Sequence, residues 1–442
     1  MSVNRNEWPC ECLRCAGKED WKTLLVRLEG RGEADHSRDE AVRGILDAVR
    51  RGGDAAVLDY CRQYDCPDMD LPLRVSPEAM ERACAQVPQE DMAVIAEAAD
   101  NIRAFHEAQK DRSWFMTRAD GAVLGQRMLP VDRAGLYVPG GLGGETPLIS
   151  SLLMTAIPAL TAGVPEVAVV SPPRRDGTLN PHLLAAARHL GISEVYRMGG
   201  AWAIAALAYG TETLAPVDVI AGPGNAWVTT AKRMVQGRVG IDMIAGPSEV
   251  LILADSSANP DWIAADMLAQ AEHDPSASAL CLVWDAALAE RIMERLAARL
   301  ETLPRVDIAR RSLKDWGAVV VLPDLEHAVE LANEVAPEHL EALVDDPWSV
   351  LPKIRHAGAL FLGPWSPEPM GDYMAGPNHV LPTMRTARFS SALSVQTFTR
   401  RMSVIAAGQE FAAHCVSPVA RLARLEQLEA HARSMECRAS RA

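Results

Sequence analysis

Residues 135–171, GLYVPGGLGGETPLISSLLMTAIPALTAGVPEVAVVS, decide the fold class. An apolar run at Gly135–Val138 is followed by a glycine-rich turn, a helical stretch at Pro147–Ala162 and a second apolar run at Glu166–Ser171. Short apolar runs that alternate with helices are typical of parallel strands buried on both faces and joined by crossover helices. This stretch therefore predicts a βαβ unit.

The same alternation continues along the chain. Further strands are expected at Val217–Ala221 and Glu249–Ala254, with helices at Asn180–His189, Trp202–Tyr209 and Asn225–Met234. A second series of strands is expected at Ala279–Trp284, Ala318–Leu322, Leu340–Val344 and Ala359–Leu362, with intervening helices at Asp261–Glu272, Ala287–Leu300 and Leu325–Val335. The sequence thus predicts an α/β protein with two Rossmann-like parallel-sheet domains, an N-terminal arm and a C-terminal helical tail.

Helical patterns also precede and follow this region. One is expected at Arg38–Arg51, ending before Gly52 and Gly53, and another at Ser76–Lys110. A final helix is expected from about Pro418 to Cys437.

Composition limits the classes of function. The chain has 442 residues, with 44 Lys and Arg against 58 Asp and Glu, which gives a formal charge of −14. This balance argues against a nucleic-acid-binding protein, because phosphate contacts need a basic surface. It mildly favours a cationic small-molecule substrate.

The N-terminal sequence MSVNRNEWPCECLRC has no apolar signal core, and no run of about 20 apolar residues occurs. Nine cysteines are too sparse for a disulfide framework, and Cys10, Cys12 and Cys15 lack a nearby fourth metal ligand. We therefore expect a cytoplasmic protein with reduced cysteines.

Three glycine-containing loops lie beside predicted strands: VPGGLGGETP at 138–147, AGPGN at 221–225 and AGPSE at 245–249. Asn225 can cap the helix that follows it. The loop at 138–147 does not fit the G-x-G-x-x-G dinucleotide pattern, although a glycine-rich turn before a helix could bind a phosphate. Each of the three loops is compatible either with a ligand-binding crevice or with an ordinary turn.

Two segments offer metal ligands. Gln270 and His273 in QAEHD lie three residues apart on one helix face, and GDYMAGPNHVLPT at 371–383 contains Asp372 and His379. An amide oxygen, imidazole nitrogen and carboxylate would form a mixed ligand set. The alternatives are a polar helix end and a surface loop.

Two more histidines stand in distinctive contexts. Glu338 and His339 in APEHLE are adjacent and point in different directions, which suits two separate proton transfers better than one bridging role. The alternative is an exposed polar turn. His431 continues a row formed by Leu422, Leu425 and Leu428, where a buried core histidine is the ordinary interpretation. The sequence contains no HExxH, G-x-S-x-G or Walker A motif.

Taken together, the motifs resemble the histidinol dehydrogenase family. The resemblance is carried by GLYVPGG at 135–141, IAGPGNAWVT at 220–229, IDMIAGPSEVLILAD at 241–255, QAEHD, APEHLE, GDYMAGPNHVLPT, SSALSVQTF at 390–398 and LEAHA at 428–432. It implies an NAD-dependent oxidoreductase that converts L-histidinol to L-histidine through histidinal, the final step of histidine biosynthesis.

The resemblance also implies a zinc site and a homodimer. Gln270, His273, Asp372 and His431 would be the zinc ligands, with His431 contributed to the active site of the partner subunit. Substrate would contact these four residues and also Ser248, His339, His379 and Glu426.

His339 and Glu338 would be the catalytic residues implied by the resemblance: His339 would accept the alcohol proton and Glu338 would activate water. Tyr137 and Asn225 would contact NAD. Trp202, in GGAWA, stands where the family commonly has glutamine, and its indole could stack on a cofactor ring.

With the resemblance, the expected division of the chain is as follows. Residues 1–32 form the arm, 33–136 and 250–393 a discontinuous α/β domain with the metal and catalytic motifs, 137–249 the NAD-binding domain, and 394–442 the tail. Three other functions stay open: a paralogue acting on another polar alcohol such as a hydroxy-sulfonate, a zinc hydrolase, and a non-catalytic metal-binding scaffold.

Overall fold

The computed structural model describes residues 8–31, 36–141, 144–146 and 148–439. Its helices are α1 Lys18–Gly30, α2 Asp39–Tyr64, α3 Pro77–Cys84, α4 Gln89–Glu107, α5 Ile149–Ala162, α6 Pro181–His189, α7 Gly200–Tyr209, α8 Ala226–Val235, α9 Pro260–Ala271, α10 Ala286–Leu300, α11 Val306–Trp316, α12 Leu325–Val335, α13 Glu368–Tyr373, α14 Gln409–Leu425 and α15 Glu429–Ala439. Its strands are β1 Glu11–Arg14, β2 Trp114–Thr117, β3 Val123–Pro130, β4 Arg133–Tyr137, β5 Glu166–Ser171, β6 Glu194–Arg197, β7 Val219–Ala221, β8 Gly240–Ile241, β9 Glu249–Ala254, β10 Ser278–Val283, β11 Ala318–Val321, β12 His339–Leu343, β13 Ala359–Leu362 and β14 Thr399–Ala406.

The strands form two parallel sheets and one antiparallel sheet. One parallel sheet has five strands in the order β6-β5-β4-β7-β8, and the other has six in the order β1-β11-β10-β9-β12-β13. Helices α5 to α8 connect the strands of the first sheet, and α9 to α12 connect β9 to β12 of the second. The predicted fold class, α/β with two parallel-sheet units, is confirmed.

The N-terminal segment is part of the six-stranded sheet. Strand β1 pairs in parallel with β11 along its whole length, from Glu11 opposite Ala318 to Arg14 opposite Val321. Helix α1 buries Trp21, Leu24 and Leu28 in the core of the same sheet. The arm expected over residues 1–32 is therefore an edge strand and its covering helix where the structure describes it.

Helices α2 to α4 pack on the five-stranded sheet. Val42 and Val57 of α2 share a core with α7 and α8, and Ile95 of α4 shares one with α5. This packing differs from the expected grouping of residues 33–136 with residues 250–393. Strand β4 also begins at Arg133, before the expected boundary at residue 137.

Helix α2 is interrupted at the glycines where the sequence predicted its end, but it does not stop there. It continues to Tyr64 across a non-helical Gly53, which has φ +54° and ψ −138°. A Cβ at this position would lie 2.1 Å from a carboxylate oxygen of Glu212. Glycine allows the kink, so the apolar residues on both sides of it can pack on one core.

The C-terminal part contains two elements that the sequence did not predict. Strand β14 pairs antiparallel with β3, which also pairs with β2, to form a three-stranded sheet. The single expected C-terminal helix is two helices, α14 and α15, separated at Gln427, whose φ is +61°. Their mutual contact buries Ala420, Ala423 and Ala432.

Within the part of the chain that the structure describes, no helix is both long enough and apolar enough to cross a membrane.

Candidate active site

The amino ends of β9 and β12 bring two of the sequence motifs together. Ser248 directly precedes β9, and Glu338 directly precedes β12, which begins at His339. The two strands are neighbours in the sheet, with His339 opposite Val250. The segment from β8 to β9 spans only residues 242–248, so it links the carboxyl end of the five-stranded sheet to this amino edge.

Glu338 is held by a reciprocal pair of hydrogen bonds with Glu249. The backbone N–H of Glu249 donates to Glu338 Oε2 at 2.9 Å, and the backbone N–H of Glu338 donates to Glu249 Oε2 at 3.2 Å. Burial raises the pKa of Glu338 well above its ordinary value, and the nearby Glu249 carboxylate adds to this effect. Motif analysis did not identify Glu249, although it lies in AGPSE beside Ser248.

His339 has the tautomer that a general base needs. Its Nδ1–H donates to the backbone carbonyl of Glu249 at 3.0 Å, which leaves the lone pair on Nε2. Nε2 is buried, makes no hydrogen bond with the described residues, and lies 3.9 Å from Asp372 Oδ1. Burial lowers the pKa of His339 to about 4, so the imidazole is neutral at pH 7. This nitrogen can accept a proton from a bound alcohol.

His273, Glu368 and Asp372 form the candidate metal centre, with one ligand atom from each lying within 4.8 Å of the other two. His273 follows the end of α9, while Glu368 and Asp372 lie four residues apart in α13. The buried Glu341 positions α13 because its Oε1 accepts a 2.7 Å hydrogen bond from Glu368 N. Glu368 was not predicted from the sequence, although its i, i+4 spacing from Asp372 was a signal for it.

The polar groups around this centre fit a cation. Gln270 is fully buried, and neither its side-chain oxygen nor its nitrogen makes a hydrogen bond within the described ranges. Burial raises the pKa of Asp372 to about 7 and that of Glu368 to about 8. Buried polar atoms without partners and carboxylates without a counter-charge are costly unless a ligand compensates for them. A divalent metal ion would supply that compensation.

His379 borders the same site. Its Nδ1 donates to the backbone carbonyl of Asp372 at 3.1 Å and lies 3.9 Å from Asp372 Oδ1. Burial lowers its pKa to about 4. The structure thus brings Ser248, Gln270, His273, Glu338, His339, Asp372 and His379 to the amino end of the six-stranded sheet.

The other two expected substrate ligands are not part of this group within the chain. Glu426 and His431 are exposed and lie at the junction of α14 and α15. The apolar row beside His431 is exposed too: Leu422 is 61%, Leu425 63% and Leu428 42% accessible. The interpretation of His431 as a buried core histidine is therefore wrong for the single chain.

The expected NAD contacts lie at the carboxyl edge of the five-stranded sheet. Tyr137 ends β4, and its hydroxyl accepts a 3.3 Å hydrogen bond from Gly200 N. Asn225 follows β7 and caps α8, with its Oδ1 accepting from the N–H groups of Trp227 and Val228. Between them, a Cβ on Gly222 would lie 2.1 Å from the Tyr137 carbonyl oxygen, so only glycine allows this close approach.

Trp202 is buried beside this edge and already has aromatic partners. Its ring centroid lies 5.7 Å from that of Tyr60 and 5.5 Å from that of Tyr64, with interplanar angles of 17° and 21°. The side chain that was expected to stack on a cofactor ring thus stacks on the protein's own tyrosines.

Comparison with known proteins decides the family. A family model described as "Histidinol dehydrogenase" matches residues 29–439, which is most of the chain. The chain belongs to the histidinol dehydrogenase family. It is 63% identical to the histidinol dehydrogenase of Nitratidesulfovibrio vulgaris over 433 residues, covering 98% of this chain and 99% of that protein.

Other members of the histidinol dehydrogenase family support the assignment. The histidinol dehydrogenase of Oleidesulfovibrio alaskensis is 61% identical, with 98% of this chain and 100% of that protein covered. The crystal structure of the enzyme from Elizabethkingia anophelis matches with a TM-score of 0.91 at 33% identity and covers 98% of each chain. The fold described above is therefore the fold of this family.

Proposed function

We propose that this protein is an NAD-dependent histidinol dehydrogenase that oxidises L-histidinol to L-histidine in two steps, with histidinal retained between them. Membership of the histidinol dehydrogenase family carries this proposal. The site supports it, because the His339 ring lies between the two groups: its unprotonated Nε2 is 3.9 Å from Asp372 Oδ1 of the candidate metal centre, and its Nδ1 is 3.7 Å from the buried Glu338 Oε2.

Zinc is the metal that we propose for the centre. Gln270, His273 and Asp372 would hold it together with His431 of the partner subunit, and Glu368 lies within the same group. The bound metal would orient the imidazole and amine of the substrate so that the carbinol carbon faces the hydride acceptor.

The chain's own residues would carry the proton transfers. His339 Nε2 would accept the hydroxyl proton of histidinol as the first hydride leaves for NAD. Glu338 would then take a proton from water as the water oxygen attacks the aldehyde carbon, and the second hydride would pass from that carbon to a second NAD. Two groups with separate roles fit the observed geometry, because both are anchored on Glu249 but by different atoms.

The remaining contacts would orient the two substrates. His379, which lies 3.9 Å from Asp372 Oδ1, and Ser248, which directly precedes β9, would contact histidinol. Glu426 of the partner subunit would balance the positive charge of the substrate. Tyr137 and Asn225 would contact NAD at the carboxyl edge of the five-stranded sheet. Because NAD is the oxidant, we propose a cytoplasmic location for the reaction.

A homodimer with shared active sites follows from the same assignment. Its support in this chain is the exposed apolar surface of the C-terminal helices, together with that of β2, where Trp114, Phe115 and Met116 are each about half accessible. Exposed apolar side chains that are clustered on an element are typical of a protein interface. A second copy of the chain is the partner that would bring Glu426 and His431 to the site.

The stoichiometry of the reaction tests the proposal. Purified protein with zinc, NAD and L-histidinol is expected to form two NADH for each histidine, measured by absorbance and by amino-acid analysis. One NADH with release of the aldehyde would contradict the role of Glu338. Turnover of a hydroxy-sulfonate but not of histidinol would show a paralogue with the same machinery.

We expect zinc to stabilise the protein more at pH 8 than at pH 5.5. In the metal-free fold, Asp372 and Glu368 keep their protons up to pKa values of about 7 and 8, whereas the unfolded chain loses them near ordinary values of 3.8 and 4.5. The two protonated carboxyl groups therefore stabilise the metal-free fold fully at acid pH, below their unfolded pKa values of 3.8 and 4.5. This contribution is lost as the pH rises to the folded pKa values of about 7 and 8. Zinc needs the ionised carboxylates, so its stabilising effect grows over the same window.

Thermal melting of chelator-treated and zinc-loaded protein across this pH range measures the effect, which we expect to reach several degrees. Glu368→Gln is the matched variant, because it removes the group with a pKa of about 8 and should move the upper limit of the window toward 7. A zinc-dependent shift of equal size at every pH would contradict the assignment of these carboxylates.

A further inference from the structure

Arg31 is a buried arginine at the end of the N-terminal helix α1, outside every motif that the sequence analysis identified. Its side chain is only 1% accessible, and its Nη2 donates to Glu249 Oε1. Arg31 Nε and Nη1 are buried and make no hydrogen bond to any residue in the described part of the chain. Glu249 is therefore the carboxylate that forms the ion pair with Arg31.

Glu249 contacts both expected catalytic residues through its backbone. Its N–H donates to Glu338 Oε2 at 2.9 Å, and its carbonyl oxygen accepts from His339 Nδ1 at 3.0 Å. Its side chain is fixed at the same time, since Oε2 accepts from Glu338 N at 3.2 Å and Oε1 accepts from Met384 N at 3.1 Å. A shift of Glu249 would move the carboxylate of one catalytic residue and the imidazole of the other.

We propose that Arg31 and Glu249 are positioning residues for the reaction: Arg31 fixes the Glu249 carboxylate, and Glu249 holds Glu338 and His339 in their working orientations. This inference rests on the proposed function. It gives the N-terminal helix a role in the active site, although Arg31 and Glu249 are 218 residues apart in sequence.

Charge explains why an arginine is needed here. Glu249 and Glu338 are both buried, and burial raises the pKa of Glu249 while the Arg31 charge opposes that rise. Two carboxylates held side by side repel one another when both are ionised. The guanidinium favours the ionised form of Glu249 and fixes its carboxylate beside Glu338, so the reciprocal hydrogen bonds between the two residues can persist when Glu338 acts as a base.

Arg31→Met tests the inference, because methionine fills similar space without the charge. We expect kcat for histidinal oxidation to fall roughly 10- to 100-fold, the size of effect that follows from misplacing a catalytic group. The KM for NAD and the zinc content should be unchanged, because Tyr137, Asn225 and the metal centre do not contact Arg31. Arg31→Lys should recover part of the rate, since lysine restores the charge but not the planar donor group.

Lys18→Gln is the matched control. Lys18 lies on α1 and pairs with Glu330 and Glu334 of α12, so this variant weakens the attachment of α1 without touching Glu249. We expect it to keep the wild-type kcat. An equal loss of kcat in Lys18→Gln and Arg31→Met would overturn the inference and assign Arg31 to attachment of the helix.

Hydrogen exchange provides a readout that is independent of catalysis. In Arg31→Met and in Arg31→Lys to a smaller degree, the backbone amides of Glu249 and Glu338 should exchange faster, while those of β10 stay protected. Unchanged exchange at both amides, or a wild-type kcat in Arg31→Met, would overturn the inference. Failure of the wild-type protein to oxidise histidinol would instead remove the proposed function, and the exchange measurement would still test the positioning role.

Discussion

Replacing Glu338 with glutamine should lower histidinal oxidation by roughly 10²–10⁴-fold, the usual contribution of a general base. Glutamine keeps an oxygen that can accept from Glu249 N, so the local structure is retained while the proton acceptor is lost. His339 still accepts the first proton, because its hydrogen bond to the Glu249 carbonyl is unaffected. In a rapid-mixing experiment, the variant should therefore release about one NADH per site from histidinol and then stop.

Glu330→Gln provides the control for this experiment. Glu330 lies on α12 in an exposed ion pair with Lys18, and exposed pairs contribute little to stability. The control should form two NADH for each histidine at the wild-type rate. A Glu338→Gln enzyme that continues to form two NADH per histidine would refute the assignment of Glu338 as the base that activates water.

Mixing two inactive variants should restore activity if the active site is shared between subunits. In a dimer of one His431→Ala chain and one Glu338→Gln chain, one site combines an intact Glu338 with an intact His431 of the partner subunit. The other site lacks both groups. Such heterodimers should have about half of the wild-type activity, because one of the two symmetric sites is complete.

The heterodimer can be isolated with two affinity tags and compared with each parent homodimer. If His431 acted within its own chain, both sites of the heterodimer would be defective and no activity would return. Either that result or a protein that is monomeric at assay concentrations would contradict the shared site. The exposed positions of Glu426 and His431 in the single chain are the structural reason to expect complementation.

Most strands of the parallel sheets could be predicted because they carry a local signal, although β1, β6 and β8 were not predicted. Glu166–Ser171, Glu249–Ala254 and Ala359–Leu362 have the same bounds in the structure as in the prediction. The antiparallel sheet has no such signal. All four residues of Trp114–Thr117 are exposed, and Thr399–Ala406 is exposed along most of its length, so neither strand shows the alternation that identifies a half-buried strand.

The same distinction applies to the site. Gln270 with His273 and Glu338 with His339 are recognisable because their members lie close together in sequence, and the structure places both pairs at one sheet edge. The NAD contacts, and the roles of Glu426 and His431 at the C-terminal helices, were predicted only from the family resemblance. Arg31 and Glu249 could not be paired from the sequence, because a contact across 218 residues leaves no local pattern.

The pairing of β1 with β11 has a consequence for how the protein forms during synthesis. Glu11 lies opposite Ala318, so the N-terminal strand has no partner until about 307 more residues have been made. At about 5–20 residues per second, this takes roughly 15–60 s on the ribosome. The five-stranded sheet, whose last strand ends at Ile241, can assemble during that time. The six-stranded sheet is therefore completed late. Until then its edge strand β1, helix α1 and Arg31 are exposed to chaperones, and β1 can pair with a wrong strand.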